Sequence, residues 1–310
     1  MERNGILVIG SANMDMVVKT SHFPCPGETA FGERFGMFPG GKGANQAVAC
    51  AKLGMKTYFL GKIGRGVFGD MLVESMKKSG VDLQPLLVDP GVSTGIAVIM
   101  VDENGQNRIV VVSGGNMSLL PSEVELKKSF FTCVNTVLCQ LEIPTETVVR
   151  AAAMAKEEGN LFILNPAPAR DLPDELFTMT DFMTPNETEL ERLTGIPVRD
   201  NQSVVQGARE IVKRGTSVVV VTMGDRGACL VTRDSETFFP PFPVRAQDTT
   251  AAGDAFTGAF VWALGTGKTV DQAVRLANAA ASISVTRLGA QDSMPSLEEL
   301  KHKYPEFAGS

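Results

Sequence analysis

Apolar runs of strand length recur along the chain at residues 6–10, 57–61, 136–139, 161–164 and 218–222. Between them the period changes. Ala44, Ala47, Val48 and Ala51 fall at i, i+3, i+4 and i+7, and similar helical stretches read at 67–78, 145–158, 203–214 and 270–284. A strand apolar on both faces belongs in a parallel sheet covered by helices, because a sheet with one wet face would alternate. The alternation of strands and helices therefore predicts βαβ units and an α/β sandwich of three layers around a mostly parallel central sheet. Ligands bind such sheets beyond the carboxyl ends of the strands. That places Gly10-Ser11-Ala12-Asn13, Gln140-Leu141-Glu142, Asn165-Pro166 and Thr222-Met223-Gly224 on one rim.

Two segments leave the alternation. Residues 15–38 hold short β-like pieces broken by Pro24-Cys25-Pro26-Gly27, and 94–113 reads as a hairpin of 96–102 and 107–112 turning at Asn104-Gly105. With no repeat, low-complexity tract or long linker, residues 1–310 read as one α/β domain. Segments 12–39 and 94–113 form a small β-sheet lid on it, one of whose faces needs a substrate or a second subunit to cover it.

Composition narrows the partners. The 310 residues are 44% hydrophobic, with a net charge of -6 and no run of Lys or Arg. This argues against nucleic acid or an anionic membrane and for small molecules. The N-terminal apolar run is too short for a signal peptide or a membrane span, so a cytoplasmic location is expected. Cys25, Cys50, Cys133, Cys139 and Cys229 are odd in number and contain no CxxC, which fits reduced core thiols. His22 and His302 stand alone, so a histidine triad or a His-rich metal site is not expected.

The richest chemistry lies at Asp248-Thr249-Thr250-Ala251-Ala252-Gly253-Asp254, which runs into a helix. Small residues at a helix start leave backbone N–H groups free to meet a phosphate or an oxyanion. Asp254, just inside that start, is either a charge matched to the helix dipole or a base for an attacking hydroxyl. Gly40-Gly41-Lys42-Gly43-Ala44-Asn45-Gln46-Ala47 is a second Gly-rich helix opening. Asn13 and Asp15, two residues apart, offer donor and acceptor to vicinal sugar hydroxyls, although Asn13 also suits a turn. Asn186-Glu187-Thr188-Glu189 reads as an N-cap with an acidic first turn, or as carboxylates holding Mg2+ through water. Thr222-Met223-Gly224-Asp225-Arg226-Gly227 reads as a β-turn, or as room for nucleotide phosphates or ribose. Gly265-Thr266-Gly267-Lys268-Thr269 imitates a P-loop, but a helix precedes it and Trp262 stands where the first glycine belongs.

Taken in order, six motifs resemble the PfkB family of carbohydrate kinases over almost the whole chain. They are Gly10-Ser11-Ala12-Asn13-Met14-Asp15, the Gly40 to Ala47 stretch, Asn165-Pro166-Ala167-Pro168-Ala169, Thr184-Pro185-Asn186-Glu187-Thr188-Glu189, the Asp248 to Asp254 stretch and Val285-Thr286-Arg287-Leu288-Gly289-Ala290-Gln291. Ala251 departs from the glycine many relatives carry. The resemblance implies transfer of the ATP γ-phosphate to the 5-hydroxyl of D-ribose, with Asp254 as base and Ala252, Gly253 and Asp254 N–H groups as the anion hole. It implies that Asn13, Asp15, Gly41, Lys42, Asn45 and Glu142 hold the sugar. Asn186, Thr222, Gly224, Gly227, Gly253 and Asn278 would line the nucleotide site, with Glu189 near Mg2+. A monovalent cation, usually K+, would lie among Asp248, Thr250, Ser284, Arg287, Gly289 and Ser293. A homodimer through the lid is also implied. Fructose, a deoxysugar or a nucleoside are alternative acceptors, and a non-catalytic sensor on the same fold is the alternative of another class.

Overall fold

Strand β1 (Ile6–Ile9) is buried at every residue, and its side chains divide evenly. Ile6 and Val8 enter one apolar cluster, Leu7 and Ile9 another, on the opposite face of the sheet. Two-sided burial is what an unbroken apolar run requires. The computed structural model describes residues 3–307. Beyond β1 its strands are β2 (Asn13–Thr20), β3 (Gly32–Gly40), β4 (Thr57–Leu60), β5 (Lys62–Gly64), β6 (Leu87–Asp89), β7 (Gly95–Val101), β8 (Asn107–Val112), β9 (Thr136–Cys139), β10 (Leu161–Leu164), β11 (Phe182–Met183), β12 (Val218–Thr222), β13 (Ala228–Val231) and β14 (Glu236–Phe239). The helices are α1 (Lys42–Lys52), α2 (Val67–Lys78), α3 (Pro121–Glu125), α4 (Lys128–Phe131), α5 (Thr145–Glu157), α6 (Asp174–Met179), α7 (Glu187–Thr194), α8 (Asn201–Lys213), α9 (Ala252–Gly265), α10 (Val270–Ser284) and α11 (Leu297–Lys303).

The main sheet has eight strands in the order β14-β13-β12-β11-β10-β9-β1-β4. Its pairings from β4 to β12 are parallel, and β13 and β14 add an antiparallel edge. The mostly parallel sheet with helices on both faces is the α/β architecture expected. Helices α1, α9 and α10 pack into one cluster, and α5 and α8 into the other. Two elements differ from expectation. Strand β11 has two residues, too few for a period to show, and the pair β5–β6 forms a separate parallel ribbon. The cysteines divide as well: Cys50, Cys139 and Cys229 are core thiols as expected, whereas Cys25 and Cys133 are exposed, both lying in surface turns.

Strands β3, β2, β7 and β8 form the second sheet in that order, with β2 and β7 parallel. The hairpin turns between β7 and β8 around Gly105, whose φ of 76° suits the tight turn. Met14 is buried while its neighbours Asn13 and Asp15 share the opposite face of β2.

Side chains cap some helix starts and leave others open. Asn186, Asp200, Thr269 and Ser296 cap α7, α8, α10 and α11 with their side chains. The starts of α1 and α9, on the rim of the main sheet, have no side-chain cap.

Candidate active site

Asp254 opens α9 and is only 6% exposed. Its Oδ2 accepts from Asn45 Nδ2 at 2.9 Å and its Oδ1 from Gln46 Nε2 at 2.8 Å, both from α1. A buried carboxylate is tolerable only when its oxygens are bonded in this way. Ahead of it, Ala252 N donates to Thr249 O at 3.2 Å. The uncapped donors of the turn are therefore those of Gly253 and Asp254, and a Cβ built on Gly253 would meet nothing within 4 Å. The helix start faces open space.

Beside Asp254, the small sheet brings in its polar pair. Strand neighbours make the room: a Cβ on Gly40 would lie 2.2 Å from Asp15 Oδ2, and one on Gly95 2.2 Å from Asn13 Oδ1. Asn116, from the turn after β8, accepts from Ala12 N at 3.0 Å and donates to Asn13 Oδ1 at 2.7 Å. That leaves Asn13 presenting its amide N–H groups while Asp15 presents carboxylate oxygens. Burial pushes the Asp15 carboxyl up to about 7, with the charges of Glu142 and Asp254 adding to the shift. Lys42 is half-buried; burial alone would lower its ammonium, but the fields of Asp254, Glu142 and Glu189 outweigh it and raise it. Asn45 Oδ1 is buried without a partner, an acceptor kept open in the same cluster. Glu142 Oε2 accepts from Ser11 Oγ and from Lys42 N at 3.1 Å, so it also anchors the start of α1. Gly41, at φ 88°, is where the chain passes Ala12 and Asn13 before that start.

On the other side of α9, a cavity of about 720 Å³ is lined by Asn186, Thr222, Gly224, Gly227, Gly253 and Asn278. All six were expected at a nucleotide site, and they do converge. Two of them also have structural duties. A Cβ on Gly227 would lie 2.1 Å from Phe239 O, so close packing demands that glycine; Asn278 Nδ2 donates to Pro240 O at 3.3 Å, holding the same turn. The apolar wall of Pro241, Phe242, Val244 and Phe256 escaped the sequence reading, although the proline-rich stretch 240–243 was a visible signal.

Glu189 forms a capping box with Asn186: Oε2 accepts from Asn186 N at 2.9 Å and Asn186 Oδ1 from Glu189 N at 2.8 Å. Burial raises its carboxyl, while the Asn186 bond and Lys42 oppose the rise and Asp254 adds to it. Among the described residues no group of three or more His, Cys, Asp or Glu side chains is placed to hold a metal. Glu189 offers a hard oxygen, which fits Mg2+ bound through water and phosphates.

The six residues expected around a monovalent cation lie on two adjoining segments, the loop before α9 and the last residue of α10 with the loop that follows it. Asp248 bridges them: its Oδ2 accepts from Gly289 N at 3.1 Å and its Oδ1 from Thr250 N at 2.9 Å. Gln247 N donates to Val285 O at 2.7 Å, and Ser284 and Ser293 hydroxyls bond at 2.8 Å. Arg287 turns its guanidinium to Glu299 at 2.6 Å, so only its backbone belongs with the loop. One carboxylate among hydroxyls and carbonyls is a donor set that fits a large monovalent cation.

Residues 3–297 match the description pfkB family carbohydrate kinase. The chain belongs to that family. It is 41% identical over 297 residues to a ribokinase of Haemophilus influenzae, covering 96% of this chain and 97% of that protein. A deoxyribokinase of Salmonella typhimurium is 39% identical over 295 residues, 95% of this chain and 96% of the relative. A bifunctional ribokinase/ribose-5-phosphate isomerase A of Fructilactobacillus sanfranciscensis is 40% identical over 95% of this chain, which spans 55% of its length. The structure of Arabidopsis thaliana ribokinase complexed with ribose and ATP superposes with a TM-score of 0.92 at 35% identity, covering 96% of this chain and 98% of that one. In this pfkB family kinase the polar cluster is bonded to Asp254 and the cavity is lined by its neighbour Gly253, so the two adjoin at the start of α9.

Proposed function

We propose that this kinase transfers the γ-phosphoryl group of ATP to the 5-hydroxyl of D-ribose, giving ribose 5-phosphate. One observation carries the reading: Asp254, a buried carboxylate at an uncapped helix start, lies between the polar cluster and the 720 Å³ cavity. Asn13, Asp15, Gly41, Lys42, Asn45 and Glu142 hold the sugar. Asp254 takes the hydroxyl proton, and the N–H groups of Gly253 and Asp254 receive the transferred group's charge, with Ala252 shaping the turn. Phosphoryl transfer needs mainly such positioning and charge stabilisation. Asn186, Thr222, Gly224, Gly227 and Asn278 line the nucleotide side. Mg2+, held by Glu189 through water, supplies positive charge to the phosphates. K+ among Asp248, Thr250, Ser284, Gly289, Ser293 and the Arg287 backbone supplies rigidity to the loop that precedes α9.

The test is phosphorylation by the purified protein with ATP and Mg2+, in K+ and in Na+, across D-ribose, 2-deoxyribose, fructose and adenosine. Ribose should lead, and K+ should outpace Na+. The deoxyribokinase relative makes 2-deoxyribose the second reading; a preference for it would keep the chemistry and change the acceptor. No turnover on any acceptor would favour a sensor.

Asp15 gives the sugar site a pH dependence. Sugar hydroxyls donate to the ionised carboxylate, so binding requires the proton to be gone from a group that holds it up to about pH 7. Ribose affinity should fall by roughly 8-fold from pH 7.5 to pH 6, following the ionised fraction. Calorimetric titration checks this, and a flat profile would exclude Asp15 as the acceptor.

The small sheet acts as a lid and as a dimer surface. Its apolar side chains Phe35, Ile109, Val110 and Val111 are each more than half exposed, an arrangement that calls for a cover. A second copy's lid is the cover proposed, and sedimentation should give a dimer; a monomer at micromolar concentration would contradict it. No helix among the described residues is long and apolar enough to cross a membrane.

A further inference from the structure

Gln46 is wholly buried, and its amide joins three polar side chains. Nε2 donates to Asp254 Oδ1 at 2.8 Å and to Asn165 Oδ1 at 2.9 Å, while Oε1 accepts from Gln140 Nε2 at 2.7 Å. The direction of these bonds is not interchangeable. Asn165 Nδ2 donates to the Thr184 carbonyl at 2.8 Å, and a carbonyl only accepts. Asn165 must then turn Oδ1 to Gln46, and Gln46 must answer with Nε2, spending one hydrogen on Asn165 and the other on Asp254. Its Oε1 in turn needs a donor, which Gln140 provides. Gln140 Oε1 is left buried with no partner. An unmade bond of that kind costs about 1–3 kcal/mol, so stability alone does not explain the relay.

The geometry points to Gln46 as the positioning residue of the base: a neutral donor, aimed from the Thr184 carbonyl, that holds Asp254 Oδ1, so that Oδ2, bonded on one side by Asn45 Nδ2 at 2.9 Å, turns its second lone pair to the acceptor hydroxyl. The inference rests on the reading of Asp254 as base. Neutrality matters because the charges around the base are already predominantly negative. Asp15 on β2, Glu142 after β9 and Glu189 on α7 place negative charge around Asp254, and Lys42 on α1 opposes them. A cation at Gln46 would make the carboxylate a weaker base, and a fourth nearby carboxylate would hold the proton on it.

The experiment is the pH profile of kcat at saturating ribose and ATP, with calorimetric ribose affinity and thermal melting beside it. Gln46→Glu keeps the shape and adds the charge; Gln46→Met removes the donor without a charge. Both should move the acidic limb to higher pH, by about one unit or more for Gln46→Glu, and lower kcat at pH 7 at least ~10-fold, with ribose affinity within ~3-fold. A folded variant with the wild-type limb and a kcat loss under ~3-fold would overturn the positioning role. Gln46→Met decides if Gln46→Glu does not fold. Asp254→Asn separates the two levels: an active Asp254→Asn enzyme would remove the base reading itself, whatever Gln46 does.

Discussion

Asp254→Asn should lower kcat by ~10²- to 10⁴-fold while ribose affinity stays within a few-fold of wild type. The amide keeps the size and place of the carboxylate but has no basicity, so the loss isolates proton acceptance from sugar binding. The site can absorb the exchange. The carboxylate now meets donors on both sides, from Asn45 Nδ2 and Gln46 Nε2. The new amide would set one donor against another, yet Asn45 carries an unpartnered Oδ1 and can turn over to accept. Gln46, held by Asn165 and Gln140, cannot turn, so the substituted side chain must place its oxygen toward Gln46. The fold should therefore survive with a cost of about 1 kcal/mol. Steady-state kinetics with a melting curve checks both halves, and a loss of only a few-fold in kcat would move the base elsewhere.

Gly41→Ala should be the most damaging small substitution in the sugar site. Gly41 has φ 88° and ψ 131°, a conformation that a side chain strains. Its Cβ would lie 2.6 Å from Asn13 N and 2.8 Å from Ala12 Cα, both backbone atoms that cannot rotate aside. Relief requires the start of α1 to move from β2, which separates Lys42 and Asn45 from Asn13 and Asp15. We expect KM for ribose to rise at least ~10-fold and the melting temperature to fall by about 2–5 °C, given strain on the order of 1–3 kcal/mol. Gly253→Ala is the contrast, since its Cβ meets nothing within 4 Å and melting should change by less than about 1 °C. Wild-type ribose KM in a folded Gly41→Ala protein would show that the passage of the chain beneath the sugar does not matter.

The main sheet was legible because a strand between two helical layers is apolar on both faces, a pattern that needs no partner to be seen. Strands β1, β9, β10 and β12 fall on predicted runs, their ends differing by at most a residue. Strand β11 was not legible, since two residues carry no period, and β13 and β14 lack the alternation with helices that marked the rest. The rim was legible because glycines and small polar residues follow apolar strands directly. The reasons behind it were not. Gly40 and Gly95 are required by Asp15 and Asn13, through a register that joins segments far apart in the chain. Asn116 orients Asn13 across 103 residues with no local signal at all. Gln46 and Gln140 stood within singled-out stretches, but the direction of their amides follows from one carbonyl on another strand's end. Capping shows the converse, for the Asn186–Glu189 pair satisfies its structural reading in full while Asn186 also lines the cavity.

Product analysis by phosphorus and proton magnetic resonance, after incubation with D-ribose, ATP and Mg2+, tests the central claim most directly. The account predicts ADP and ribose phosphorylated at the 5-hydroxyl, with Asp254→Asn forming the same product at least ~100-fold more slowly. Ribose left unphosphorylated, phosphate on another hydroxyl, or an undiminished rate in the variant would contradict it.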